Sequence, residues 1–350
     1  MEETHFHHLN DLQGAFRKSL KELTLVGACV NEGQDWYVGV ETAPQAFREA
    51  GLIDMIEGLG YRVKDQGDVS VDRSVLPDER LDDEYYKAGS IKQVEVLGET
   101  CGRLHETVMS AAASANNFVL TLGGDHAIAA ATISALKRSR KDLAVVWIDA
   151  HADCNIPETS PSGNFHGMPV GLLLGWFTKK AHPRFDWIQE YLEDPLPENR
   201  LAYIGLRDVD EGERELLRRS NILVYSMTEV ERFGIAHIME EISERLSPNG
   251  CRPIHLSFDI DGVDPSIAPG TGTRSRGGLS YRECRYICTR LASTGALKSM
   301  DLVEINPTID IHEKNTRTEH GDNPNIKAGA SMTIKLGLDL IQFALGHTLI

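Results

Sequence analysis

Residues 144–157 read AVVWIDAHADCNIP: an apolar, β-branched run that stops abruptly in Asp149, His151 and Asp153 at alternate positions. Such a run reads as a strand buried on both faces. Two carboxylates and an imidazole beside a core are costly to desolvate unless something positive binds among them. The stretch therefore marks both a central strand and a candidate site at its carboxyl end. In an extended chain, residues i, i+2 and i+4 project to one side, so the three side chains face one point if the extended conformation persists past Ala150.

Runs of the same kind recur at 23–30, 117–124, 201–207, 221–226, 253–260 and 300–306, with a weaker one at 61–67. Between them lie stretches such as PQAFREAGLIDMIEGLG, GETCGRLHETVMSAAASA, HAIAAATISALKRS and GIAHIMEEISERL, whose apolar spacing has the period of an amphipathic helix. Strand–helix alternation with near-continuous apolar strands predicts an α/β fold, a three-layer α/β/α sandwich with a central, mostly parallel sheet of about eight strands. No repeat, low-complexity linker or composition break divides the chain, which reads as one domain over 1–350 with 1–21 as an N-terminal extension. The long irregular stretches, 153–167, 261–279 and 305–328, each follow the carboxyl end of a strand. Ligands bind there in open α/β sheets.

A net charge of −16 argues against nucleic acid and anionic membrane as partners and suits a cationic substrate or divalent metals. No apolar stretch approaches the roughly eighteen residues of a membrane helix. The N-terminus lacks the apolar region of a secretory signal, so a cytoplasmic location is expected. Six cysteines without a CxxC pair read as reduced thiols; Cys284 and Cys288, four apart on a helix, read as packing residues, and Cys154 lies inside the candidate site.

The alternation at 149–153 is repeated in SFDIDGVDP, which puts Asp259 and Asp261 on one face of another strand end, and LGGDHA puts His126 at a third. Two imidazoles and four carboxylates with no thiolate suit Mn²⁺ or another borderline-hard divalent ion. Six ligands exceed what one ion with an open position needs and suit two ions sharing a carboxylate. Such a pair lowers the pKa of a bridging water towards ~7 and makes a hydroxide nucleophile at neutral pH.

LGGDHA, WIDAHADCNIPETSPSGNFHG, YIGLRDVDEGE, RPIHLSFDIDGVDPSIAPGTGT, GGLSYRE and VEINP together resemble the ureohydrolase superfamily, and within it the arginase family, from about residue 22 onward. The resemblance implies hydrolysis of L-arginine to L-ornithine and urea by a metal-bridging hydroxide, with two Mn²⁺ per chain and a homotrimeric assembly. It implies that His126, Asp149, His151, Asp153, Asp259 and Asp261 hold the metals, with Asp153 and Asp259 bridging and Asp149 also positioning the hydroxide. His166 would be the acid–base histidine and Glu304 the partner of the guanidinium. Asn155 and Ser162 would meet the substrate α-carboxylate, Asp210 and Glu213 its α-amino group, and Thr273 would lie on the rim.

Four stretches depart from the family pattern. Tyr37-Val38-Gly39 stands where an arginine and glycines are usual, with Ala43 in place of another Gly. Arg274 and Arg276 sit on a loop next to the expected pocket, where they disfavour a cationic substrate unless turned outward or paired. The segment before the last helix is long, and the chain stops at LIQFALGHTLI. These keep two other readings open: a relative with the fold, with or without the metals, in a binding or regulatory role, and another ureohydrolase such as an agmatinase. Asn155, Ser162, Asp210 and Glu213 favour an amino-acid substrate over agmatine, which has no α-carboxylate.

Overall fold

The computed structural model describes residues 22–34, 38–71, 91–177, 183–310 and 330–347. The strands are β1 (Glu22–Ala28), β2 (Arg62–Val69), β3 (Asn117–Gly123), β4 (Ala144–Ile148), β5 (Leu201–Leu206), β6 (Leu223–Ser226), β7 (Ile254–Asp259) and β8 (Leu297–Val303). They form one sheet in the order β2-β1-β3-β8-β7-β4-β5-β6, and every neighbouring pair is parallel. The expected strands are all present. β2 reads weakly because it is an edge strand with no fully buried residue, so its apolar signal is diluted.

Helices cover both faces. On one side Val94–Ala112 buries Leu97, Cys101, Leu104 and Val108, and Ala129–Ser139 lies beside it; both close over Val119, Val145 and Trp147 of the sheet. On the other, Ile235–Leu246, Tyr281–Ser293 and Met332–Ala344 close over Leu120, Val146 and Leu256. Cys284 and Cys288 are buried in this second layer as packing residues. The stretch 44–60 forms two helices, Ala43–Glu49 and Leu52–Gly58, because the chain turns at Gly51 with φ 98°, a conformation suited to glycine.

The order of the sheet locates the site. β3, β8, β7 and β4 are consecutive neighbours at its centre, and His126, Glu304, Asp259 and Asp149 lie at or just past their respective carboxyl ends. Thr121, Asp301, Ser257, Trp147 and Tyr203 stand side by side in register across five strands. Side chains two residues apart on a strand share a face, so Asp259 and Asp149 continue that row towards the rim. Deeper in the same layer the imidazole of His255 meets Asp301 Oδ2 at 3.1 Å and Ser299 Oγ at 3.0 Å, and Thr132 donates its hydroxyl to Asp301. A register shift between Ile254 and His255 sets Ser299 opposite His255. These buried polar contacts tie β7 to β8 in a single register, because a slip would leave them unpaired.

Gly124 is the joint between sheet and site. Its N–H donates to Ala28 at 2.8 Å, its carbonyl accepts the Glu304 N–H at 2.9 Å, and a Cβ there would lie 1.9 Å from the Val30 carbonyl oxygen. Gly124→Ala is expected to destabilise the fold by at least about 1–3 kcal/mol, the usual cost of overpacking, as measured by urea denaturation.

Candidate active site

His126 opens a short turn after β3, with Asp125 as its N-cap. The His126 ring stacks on Trp147 (centroids 4.0 Å apart, planes at 16°), and Nε2 lies 2.9 Å from Ser257 Oγ. With the ring so fixed, Nδ1 faces three carboxylates: Asp149 and Asp153 at 3.1 Å and Asp259 at 3.2 Å. Trp147 Nε1 donates to Asp149 at 2.9 Å. All four members of this first group are buried.

A second group comprises Asp149, His151 and Asp261. His151 Nδ1 lies 3.1 Å from Asp261 and 3.4 Å from Asp149. Two matching turns shape it: the His151 N–H donates to Asp149 Oδ1 and the Asp261 N–H to Asp259 Oδ1, each at 2.7 Å. The Ala150 N–H and the Thr273 hydroxyl hold Asp261 from either side, at 3.1 and 2.6 Å. Thr273, expected on the rim, thus also orients a carboxylate of the cluster.

The route by which the three residues meet differs from the expected one. β4 ends at Ile148, and Asp153 has φ 49°, so the carboxylate is carried into the first group by a left-handed turn and not by a prolonged strand. Asp149 is the residue common to both groups, whereas Asp153 and Asp259, the two carboxylates expected to bridge, both fall in the first.

The electrostatics fit a cation. Burial alone would lower the His126 imidazolium, but Asp149, Asp153 and Asp259 override it and hold its pKa well above the usual histidine range. Burial and the Asp149 charge push Asp153 up to about 6, and burial with Asp261 and Asp149 raises Asp259 as well. Asp149 is driven the other way: burial opposes its charge, and His126 and His151 outweigh that. Four carboxylates and two imidazoles, with ligand atoms of each group within 4.8 Å of one another, match two divalent cations in charge and donor type. This is a metal-binding His/Asp cluster. A cation brought into it displaces the protons these groups would otherwise keep.

Next to it, Glu304 is buried in a left-handed conformation (φ 61°) just after β8. Its Oε1 accepts the His126 N–H at 2.9 Å and lies 3.2 Å from His166 Nδ1. Burial would lower His166, but the Glu304 charge overrides it and lifts the imidazolium to about 9. Asp125, fully buried, accepts the N–H groups of Gly33 and Ala127 at 2.7 and 3.1 Å; burial and the nearby Glu304 push it up to about 7.

A third polar group borders the cluster. Asn155 Nδ2 donates to Asp210 at 2.7 Å, and Asp210 forms a capping box with Glu213 at the start of the helix Glu211–Arg219. Glu213 accepts the N–H of Cys154, next to Asp153, at 3.2 Å; burial, then Asp153 and Asp210, push it up to about 8. Asn155, Asp210 and Glu213 are thus brought together. Ser162 lies exposed along the same loop, its Oγ accepting the Asn164 N–H at 3.2 Å.

The departing segments have local explanations. Arg274 is exposed and donates to the Thr271 and Ile309 carbonyls, and Arg276 is exposed. Val38 is exposed with its carbonyl accepting from Asn306 Nδ2, and Gly39 (φ 132°) packs where a Cβ would strike Asn306 and Thr308. Tyr37 and most of the long segment before the last helix lie outside the described residues.

Several working residues escaped the sequence reading. Ser257 and Trp147 lie two residues before ligand-type aspartates on the same strand face, a spacing that was available. Arg207 donates to the carbonyls of Gly205, Asp261, Gly262, Val263 and Ser275, binding the Asp261 turn to the loop that follows it. Arg207→Met leaves these carbonyls without their donor and is expected to destabilise by at least about 2 kcal/mol. It is also expected to weaken metal retention at the His151 group, read by thermal melting and metal analysis.

Comparison with known proteins agrees with this geometry. The Arginase family model matches residues 21–320. An arginase of Plasmodium berghei (strain Anka) is 39% identical, covering 94% of each chain. The solved arginase of Bacillus caldovelox superposes with a TM-score of 0.79 at 34% identity over 95% of this chain and 100% of that one. Entamoeba histolytica arginase, solved in complex with L-ornithine, superposes with a TM-score of 0.76 at 26% identity, covering 94% of this chain and 99% of that one. With this coverage, an all-parallel eight-stranded sheet and a His/Asp cluster at its centre, the chain belongs to the arginase family.

Proposed function

We propose that the protein hydrolyses L-arginine to L-ornithine and urea with two Mn²⁺ bound by His126, Asp149, His151, Asp153, Asp259 and Asp261. The observation that carries this reading is the pair of His/Asp groups joined through Asp149, with the Glu304–His166 pair beside it. When bound, two divalent cations polarise a water and bring its pKa towards ~7, supplying the nucleophile that a resonance-stabilised guanidinium requires.

The chain's own residues account for the remaining chemistry. Glu304 presents a buried carboxylate, and a carboxylate pairs with a planar guanidinium through two parallel hydrogen bonds. That pairing neutralises the substrate cation and turns its central carbon towards the metal groups. His166, protonated below about 9, holds a proton at neutral pH for the departing amine nitrogen. Asn155 and Ser162 meet the α-carboxylate, and Asp210 and Glu213 the α-ammonium. In the absence of substrate Asn155 and Asp210 satisfy each other. An ammonium beside Glu213 would stabilise its ionised form and lower its pKa from about 8. A homotrimer is the assembly proposed with this activity.

Urea release from L-arginine by Mn²⁺-loaded protein, with agmatine in parallel, tests the reading. Turnover of arginine in clear preference to agmatine is expected; two Mn²⁺ bound per chain without turnover would instead favour a non-hydrolysing relative. Because Asp149 is common to both groups, Asp149→Ala is expected to lose both metals. Asp153→Ala should weaken the His126 group first and leave the His151 group's donors intact. Metal analysis after gel filtration distinguishes them, and equal losses in the two variants would refute the sharing of Asp149.

A further inference from the structure

One buried side chain at the site has no part in the chemistry above. Gln34, on the loop after β1 and only 3% exposed, donates from Nε2 to Glu304 Oε2 at 3.3 Å. The other Glu304 oxygen is the one that takes the His126 N–H and faces His166. The carboxylate therefore has a donor on each oxygen. That matters because the terminal torsion of a glutamate is broad and its plane is poorly set by the side chain alone.

The loop that carries Gln34 is held in place. The Gly33 N–H donates to Asp125 at 2.7 Å, the Gly33 carbonyl accepts the His166 N–H at 3.1 Å, and the Gln34 carbonyl accepts from Gln93 Nε2 at 3.4 Å. A Cβ on Gly33 would lie 2.7–2.9 Å from Ala127 Cβ and the Asp125 carboxylate oxygens, so the loop runs too close for any residue but glycine. It thus spans the His126 turn and the His166 loop and delivers Gln34 to Glu304 at a fixed height.

We propose that Gln34 is a positioning residue for arginine hydrolysis: its amide fixes the plane of the Glu304 carboxylate so that both oxygens meet the substrate guanidinium. The proposal rests on the reading of Glu304 as the guanidinium partner. Fixing the plane beforehand removes an ordering cost that substrate binding would otherwise bear. The bond is charge-assisted, and its loss is expected to weaken guanidinium recognition about ten-fold.

The test uses the Mn²⁺-loaded protein with Gln34→Leu, which keeps the volume without the donor, and Gln34→Asn, which keeps the amide but falls one methylene short. Both are expected to raise KM for L-arginine about ten-fold, with a smaller fall in kcat. Metal stoichiometry should not change. The inhibition constant of L-norvaline, which offers an α-ammonium and an α-carboxylate but no guanidinium, should move less than about two-fold. If Gln34→Leu fails to fold, the polar Gln34→Asn variant decides. An unchanged KM, or an equal rise in the norvaline constant, overturns the proposal while leaving the function standing. Absence of arginine turnover by the unaltered protein would sink both.

Discussion

The Asp149 carboxylate is the constraint around which the rest is arranged. It is fully buried, accepts the Trp147 indole N–H and the His151 backbone N–H, faces two imidazoles, and is the one member common to both ligand groups. A buried carboxylate is tolerated only when its charge is met. Here the charge is met from two directions, which obliges β7 and β3 to bring Asp259 and His126 to the same height as the end of β4. The polar row across the central strands follows from this requirement. Trp147 and Ser257 fix the His126 ring, and the His255–Asp301–Ser299 contacts hold β7 and β8 in the register that keeps Asp259 level with Asp149.

The architecture was legible because each buried strand is a short apolar run, and the long helices between them carry apolar stripes. The ligand set was legible for the same reason: strand ends face one rim in a parallel sheet, so polar residues there converge whatever the loop lengths. What sequence pattern cannot carry is a change of direction within a loop. Alternation at 149–153 suggested the right residues by a conformation the chain does not adopt past Ile148, since the backbone at Asp153 turns left-handed.

The supporting contacts were hidden for a further reason. Gln34 and Arg207 are ordinary polar residues in their own neighbourhoods, and most of their partners lie far away in sequence: Glu304 for Gln34, the 261–263 carbonyls and Ser275 for Arg207. No local pattern marks a donor whose acceptor arrives through the crossover of a parallel sheet. The direction of the Arg274 side chain is hidden for the same reason. The composition of its loop placed cations beside the pocket, and only the carbonyls of Thr271 and Ile309 show where Arg274 is turned.

Asp153 and Glu304 are two of four described residues other than glycine with positive φ, and both carry their carboxylates into the site. L-residues hold that conformation at a cost of roughly 1–2 kcal/mol each, so at these positions what folding prefers and what the site requires are opposed. Glycine at 153 or 304 would relieve that cost, but at 304 it would strand the buried His126 N–H and the Gln34 amide that the carboxylate now accepts. Such a chain would keep the backbone of this one and lack the two carboxylates that the site needs. Retention of acidic residues at these two strained positions is therefore a better guide to a working member of this fold than overall likeness of backbone.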